Sequence, residues 1–305
     1  MLNETDHGRW EELGDWSRNA SYGWISEGLR AHLFLSPERD MAVLTFKGTN
    51  LPFSKEKGDD WPTHRSDKFN DNLMFSCCCS LRTSRTCSCD QGSRKCDSTC
   101  YRRASHIKNT YYQAAMRMYK HVRDKYPQAI ILLSGHSLGG SIAALVSAAT
   151  ESPAVAFEAP GEAQFARRLG LIDGETGRSR DDVPVWHIGH TADPVYTGTC
   201  TGINSLCRWF GYTMQTRCHL GRQCMFDTVE GLGWLPHVKY HRQSVCVNEV
   251  LLPWSDQGAM TSKRQVRQTT WPWGDKDTSW KVPWKCGFTE EKCEDCGNWE
   301  YISSP

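Results

Sequence analysis

The chain has 305 residues, 39% of them apolar, enough for one large domain around a single core. Its 36 Lys and Arg against 35 Asp and Glu leave a formal net charge of +1, which provides no broad basic field and excludes nucleic acid as the expected partner. The 15 cysteines crowd at Cys77, Cys78, Cys79, Cys87, Cys89, Cys96 and Cys100 and again at Cys200, Cys207, Cys218 and Cys224, a density that points to disulfides made in an oxidising compartment. The odd count leaves at least one thiol free or paired between chains.

Near the start, Asn3-Glu4-Thr5 and Asn19-Ala20-Ser21 make Asn3 and Asn19 candidate glycosylation sites, in keeping with that compartment. No apolar run approaches the roughly 18 to 20 residues of a membrane span, and the first residues carry no signal-peptide core. The targeting segment that secretion requires is therefore expected to lie outside this sequence. Met41 to Phe46 reads as a buried strand, closed by Lys47-Gly48-Thr49-Asn50. Residues 51 to about 105 are polar, Ser-rich and Cys-rich, and are expected to form a stapled insertion without regular elements. Tyr111 to Tyr126 has helical spacing of apolar residues, stopped by Pro127. Ala129 to Leu133 suits a strand buried on both faces of a parallel sheet.

The alternation then continues: a small-residue helix over Ser141 to Thr150, a strand over Pro153 to Phe157, a short helix over Ala163 to Leu169 and a strand over Val183 to His190. The expected fold is α/β with a mainly parallel central sheet. Beyond Pro194 the periodicity fades, and the tail collects Trp254, Trp271, Trp273, Trp280, Trp284 and Trp299. This divides the chain into a catalytic domain over 1–250, carrying the Cys-rich insertion over 51–105, and a Trp- and Cys-rich extension over 251–305. Cys293-Glu294-Asp295-Cys296 has the spacing of zinc ligands, with Cys286 nearby, but no second pair or histidine set completes four ligands. Structural disulfides are the preferred reading, and no metal or cofactor is expected.

Gly135-His136-Ser137-Leu138-Gly139 matches the nucleophile elbow G-x-S-x-G and falls between a strand and a helix, where a sharp turn lifts the serine hydroxyl above the sheet. Serine at its free pKa is a poor nucleophile, so a histidine must take its proton and an acid must orient that histidine, in the chain order Ser, Asp or Glu, His. Asp193, directly after a predicted strand, is the natural acid, with Asp227 and Glu230 as alternatives. His219, His237 and His241 all follow it, and spacing does not rank them. The oxyanion formed on carbonyl attack needs about two donors. The backbone amide of Leu138 is one by position, and Thr49 at the end of the first strand could supply the other through backbone or hydroxyl.

These residues resemble the lipase class 3 family, and within it the fungal vacuolar phospholipases of autophagic bodies. The resemblance runs through Phe46-Lys47-Gly48-Thr49, Asp71-Asn72-Leu73, Phe75-Ser76-Cys77-Cys78-Cys79 and Gly135 to Gly140. It continues in Phe157-Glu158-Ala159-Pro160-Gly161-Glu162, His190 to Pro194, Gly198-Thr199-Cys200, Arg217 to Gly221 and Cys293 to Glu300. It implies an α/β-hydrolase fold with Ser137, Asp193 and His241 as nucleophile, acid and base, His237 as the fallback base, and Thr49 as an oxyanion residue. It further implies hydrolysis of membrane phospholipids, including phosphatidylserine, and triacylglycerol as a further substrate, in the lumen of a vacuole or endosomal vesicle, with the segment after Thr49 as a candidate lid. For work in an acidic lumen the rate should rise through an apparent pKa below about 6. Two other readings are an esterase acting on a soluble feruloyl or acyl-sugar ester, and a catalytically silent lipid-binding domain.

Overall fold

Short apolar runs alternate with helices along the chain, and the computed structural model gathers eight strands into one sheet. It describes residues 16–23, 28–49, 64–77, 87, 89–199, 214, 216–254, 282–290, 293 and 299–303. The sheet begins with β1 (Ser17–Tyr22), β2 (Ala31–Leu35) and β3 (Met41–Phe46), paired antiparallel. From β3 it continues in parallel through β5 (Ile130–His136), β6 (Ala154–Phe157), β7 (Val185–His190) and β8 (Arg222–Phe226), and β9 (Trp284–Phe288) closes it antiparallel. A separate parallel pair joins β4 (Lys95–Asp97) to β10 (Glu300–Ile302). The parallel centre with helical crossovers is the α/β-hydrolase arrangement expected from the sequence, and it sets the ends of β3, β5, β6, β7 and β8 along one rim, where α/β sheets place their sites.

Packing against the sheet follows side-chain size. Helix α4 (Leu138–Thr150) is buried from Leu138 through Ala148, since Gly139, Gly140, Ala143 and Ala144 let its backbone lie close on β5 and β6. Helix α3 (Tyr111–Lys125) is amphipathic instead, burying Tyr111, Ala115, Met118 and Val122, and its first turn is capped by Thr110, whose Oγ1 accepts from Gln113 N.

The stretch read as irregular needs correction. It contains α1 (His64–Phe75), β4 and α2 (Ser98–Ser105). The α1 sequence is polar, and distant side chains hold it in place of a periodic apolar stripe. Tyr111 donates its hydroxyl to Asp67 (2.7 Å) and its backbone N–H to Asn70 Oδ1 (2.7 Å), while buried Arg168, the last residue of α5 (Ala163–Arg168), donates to the Leu73 and Met74 carbonyls (3.4 and 3.0 Å). Such tertiary support is invisible to local patterning. The Cys-rich segment is stapled by Cys77–Cys87 and Cys89–Cys100. Residues 50–63, 78–86 and 88, part of the candidate lid, lie outside the described residues.

Beyond residue 250 the chain returns to the body. The β9 strand pairs with β8 and is joined to it by Cys224–Cys286, β10 pairs with β4, and Cys293 bonds Cys218. Among the described residues Cys246, buried, is the free cysteine. Asn19 is exposed at the β1 bulge between Arg18 and Ala20, with its Oδ1 accepting from the Tyr126 hydroxyl (2.7 Å). Asn3, Cys78, Cys79, Cys200, Cys207, Cys296, Trp271, Trp273 and Trp280 are outside the described residues.

Candidate active site

Ser137 sits between β5 and α4 at φ +57° and ψ −131°, a left-handed conformation that a non-glycine residue adopts only under constraint. The constraint is visible in its neighbours. A Cβ at Gly135 would run into the Gly139 backbone, and one at Gly139 into the Phe46 carbonyl, so only glycine lets strand, turn and helix meet this closely. The turn leaves Ser137 half-buried at the rim with its hydroxyl 2.8 Å from His241 Nε2. The other ring nitrogen of His241, Nδ1, lies 2.7 Å from Asp193 Oδ2. These three side chains come from the end of β5, the turn after β7 and the 3₁₀ turn Val238–His241, and form one hydrogen-bonded line.

Asp193 is fully buried. Burial alone would raise its carboxyl, but the adjacent His241 charge and hydrogen bonds from His241, Glu158 and the Val195 N–H (2.9 Å) outweigh it and hold the group below the usual carboxylate range. His136 packs its ring 5.0 Å from that of His241, and burial and the nearby imidazole push its pKa down to about 3, so it faces His241 as a neutral ring.

Thr49 follows directly on Gly48, where an added Cβ would stand 3.3 Å from Ser137 Cβ. Its hydroxyl donates to Asp71 Oδ2 (2.8 Å), which occupies that hydrogen and leaves the backbone N–H as the available donor. Asp71 is buried on α1, and burial pushes its carboxyl well above its ordinary value. Leu138, the first residue of the 13-residue α4, places its N–H at a helix N-terminus favourable to negative charge.

The alternatives are engaged elsewhere. Asp227 caps α6 (Thr228–Leu232), accepting from Glu230 N (3.1 Å) and the Thr191 hydroxyl (2.9 Å). His219 lies between Glu290 Oε1 (3.2 Å) and the Ala159 carbonyl (3.0 Å), and exposed His237 accepts from Lys239 N (3.0 Å). The sulfurs of Cys77, Cys87 and Cys89 gather, yet each is taken up in a disulfide and offers no thiolate to a metal. Asp71 and Glu158 carried no signal as site residues in the sequence, because only folding brings α1 to Thr49 and the end of β6 to Asp193.

A model of the lipase (class 3) family matches residues 43–154. The protein named "Putative lipase ATG15" in Eremothecium gossypii is 37% identical over 303 residues, covering 97% of this chain and 51% of that protein. The protein of the same name in Vanderwaltozyma polyspora is 44% identical over 241 residues, covering 77% and 42%. The chain thus spans about half the length of these relatives. Among solved structures, Lip2 lipase from Yarrowia lipolytica matches 70% of this chain and 67% of its own at 17% identity, with a TM-score of 0.35.

Proposed function

This chain belongs to the class 3 lipase family, and from that premise we propose that it is a serine lipase acting on acyl esters of membrane phospholipids. One observation carries the reading: Ser137, strained at an elbow, lies 2.8 Å from His241 Nε2 while Asp193 holds Nδ1 at 2.7 Å. In this mechanism His241 Nε2 takes the Ser137 proton as Oγ attacks the ester carbonyl, and the carbonyl electron pair moves to oxygen. The N–H groups of Leu138 and Thr49 receive that oxyanion. Collapse expels the alcohol, protonated by His241, and leaves an acyl-serine that water hydrolyses by the same steps. Asp193 keeps the base in the tautomer with Nδ1 protonated and stabilises the imidazolium.

The membrane substrate, phosphatidylserine included, finds support in the segment that delivers His241. Val229, Leu232 and Leu235 are 38%, 39% and 80% exposed there, and exposed Lys239 and Arg242 follow. Apolar side chains beside cations suit an anionic bilayer surface. The relatives' name and the disulfides support action in the oxidising lumen of the vacuolar pathway, on autophagic and endosomal vesicles. Among the described residues no helix is long and apolar enough to cross a membrane. Labelling by a fluorophosphonate tests the nucleophile: the wild type is expected to label and Ser137→Ala is not, and equal labelling of both would remove Ser137 from the role. A soluble-ester esterase uses the same chemistry, and turnover of vesicles against a short-chain ester separates the two.

A further inference from the structure

Asp193 interacts with a second carboxyl that the hydrolytic steps do not use. Glu158 follows β6 at φ +46°, a conformation that turns its side chain into the interior, and it is completely buried. No N–H or hydroxyl hydrogen is directed at either of its oxygens. An ionised carboxylate so placed would be a buried charge without a donor, beside an aspartate that must stay ionised to serve His241. The groups facing it are Asp193 and His190 from β7 and its following turn, Cys246 from the turn after His241, and the Tyr196 ring. None supplies a compensating cation: His190 Nε2 is 3.5 Å from Glu158 Oε1 but lies closer to the Tyr240 carbonyl (3.3 Å), and burial lowers that histidine's pKa. Burial first, then the Asp193 charge, push Glu158 well above the ordinary carboxylate range, and a hydrogen bond to Asp193 favours the same un-ionised form.

We propose that Glu158 is a positioning residue that stays un-ionised and donates its carboxyl hydrogen to Asp193, drawing charge from the carboxylate that faces His241. The consequence is an enzyme adapted to acid. Spreading the Asp193 charge over two carboxyls weakens its hold on the imidazolium, which extends the acid limb of the rate profile downward. Removing the donor strengthens that hold and moves the acid limb of the rate profile upward.

The inference rests on the proposed hydrolase reading, and the test keeps the two apart. The measurement is kcat/KM on a soluble short-chain ester between about pH 4 and pH 9, across the histidine range, for wild type, Glu158→Gln and Glu158→Leu, with fluorophosphonate labelling at neutral pH to certify folded sites. The glutamine amide still donates, so its acid limb should coincide with that of the wild type. The leucine variant should shift upward by about one pH unit, a loss of about tenfold on that limb. Coincident limbs for leucine and wild type, or equal shifts for glutamine and leucine, would overturn the proposal. Infrared spectroscopy provides a readout independent of whether the leucine variant folds: at neutral pH the un-ionised carboxylic-acid carbonyl absorption of Ser137→Ala should lose one component when Glu158→Gln is added, the Asp71 carboxyl remaining in both. Identical carbonyl absorption with and without Glu158→Gln would mean Glu158 is ionised, and the proposal fails. A wild type that neither labels nor hydrolyses the ester would refute the hydrolase reading itself.

Discussion

At the scale of single residues, the proposed hydrolysis assigns its chemistry to three hydrogen-bonded side chains whose contributions should not be additive. Ser137→Ala, His241→Ala and the double variant should each lower kcat by a similar factor, on the order of 10⁴ or more, because the loss of either partner disables the pair. Asp193→Asn should cost on the order of 10³- to 10⁴-fold while leaving KM nearly unchanged, since the amide presents its hydrogens to Nδ1 and favours the wrong tautomer. Steady-state kinetics on a soluble ester check both, and a double variant far worse than either single one would contradict a concerted site. Ser137 was readable in the sequence because a strained elbow needs glycines at fixed spacing and they are there. His241 was not separable from His219 and His237 by spacing alone, since a base is chosen by the turn that carries it to the rim. The family resemblance singled it out, and it is the histidine that lies on Ser137 and Asp193.

Among the elements, the segment from α6 to the 3₁₀ turn both delivers His241 and bares Leu235 to solvent. Leu235→Asp should therefore reduce fatty-acid release from anionic vesicles about tenfold, with short-chain ester turnover changed less than twofold, by removing apolar area and adding a repelled charge. Equal loss on both substrates would place Leu235 in the folding of the site and not at the membrane. The Cys77–Cys87 and Cys89–Cys100 staples lead to a matching expectation: replacing Cys77 and Cys87 together with alanine should impair vesicles more than the soluble ester. The parallel strands and α3 and α4 were legible because apolar runs and small-residue spacing report burial directly. Helix α1 was not, because its order comes from Tyr111 and Arg168, distant in sequence. The pairing of β9 with β8 was equally hidden, since a short edge strand far along the chain carries no local mark of its partner.

Across the whole molecule, buried acids give stability a dependence on pH. Asp71 and Glu158 are both raised by burial, so their stabilising contribution is complete below the ordinary carboxylate range and is lost as pH rises through their folded values. His32 and His136, lowered to about 4 and about 3, act oppositely: their contribution is present above the ordinary histidine value and is lost as pH falls toward those figures. An amide at position 71 removes one carboxyl from this balance. Thermal unfolding should thus show Asp71→Asn gaining on the wild type as pH rises from about 4, by about 1.4 kcal/mol per pH unit until the folded value is passed. A difference between the two that stays constant with pH would mean Asp71 titrates normally.

The central claim, serine-dependent hydrolysis of membrane phospholipid, is tested most directly by fatty-acid release from phosphatidylserine-containing liposomes at about pH 5, below the ordinary histidine value. Release by the wild type and none by Ser137→Ala is the predicted result. Release that survives the substitution, or none from a wild type that still labels with a fluorophosphonate, would contradict it.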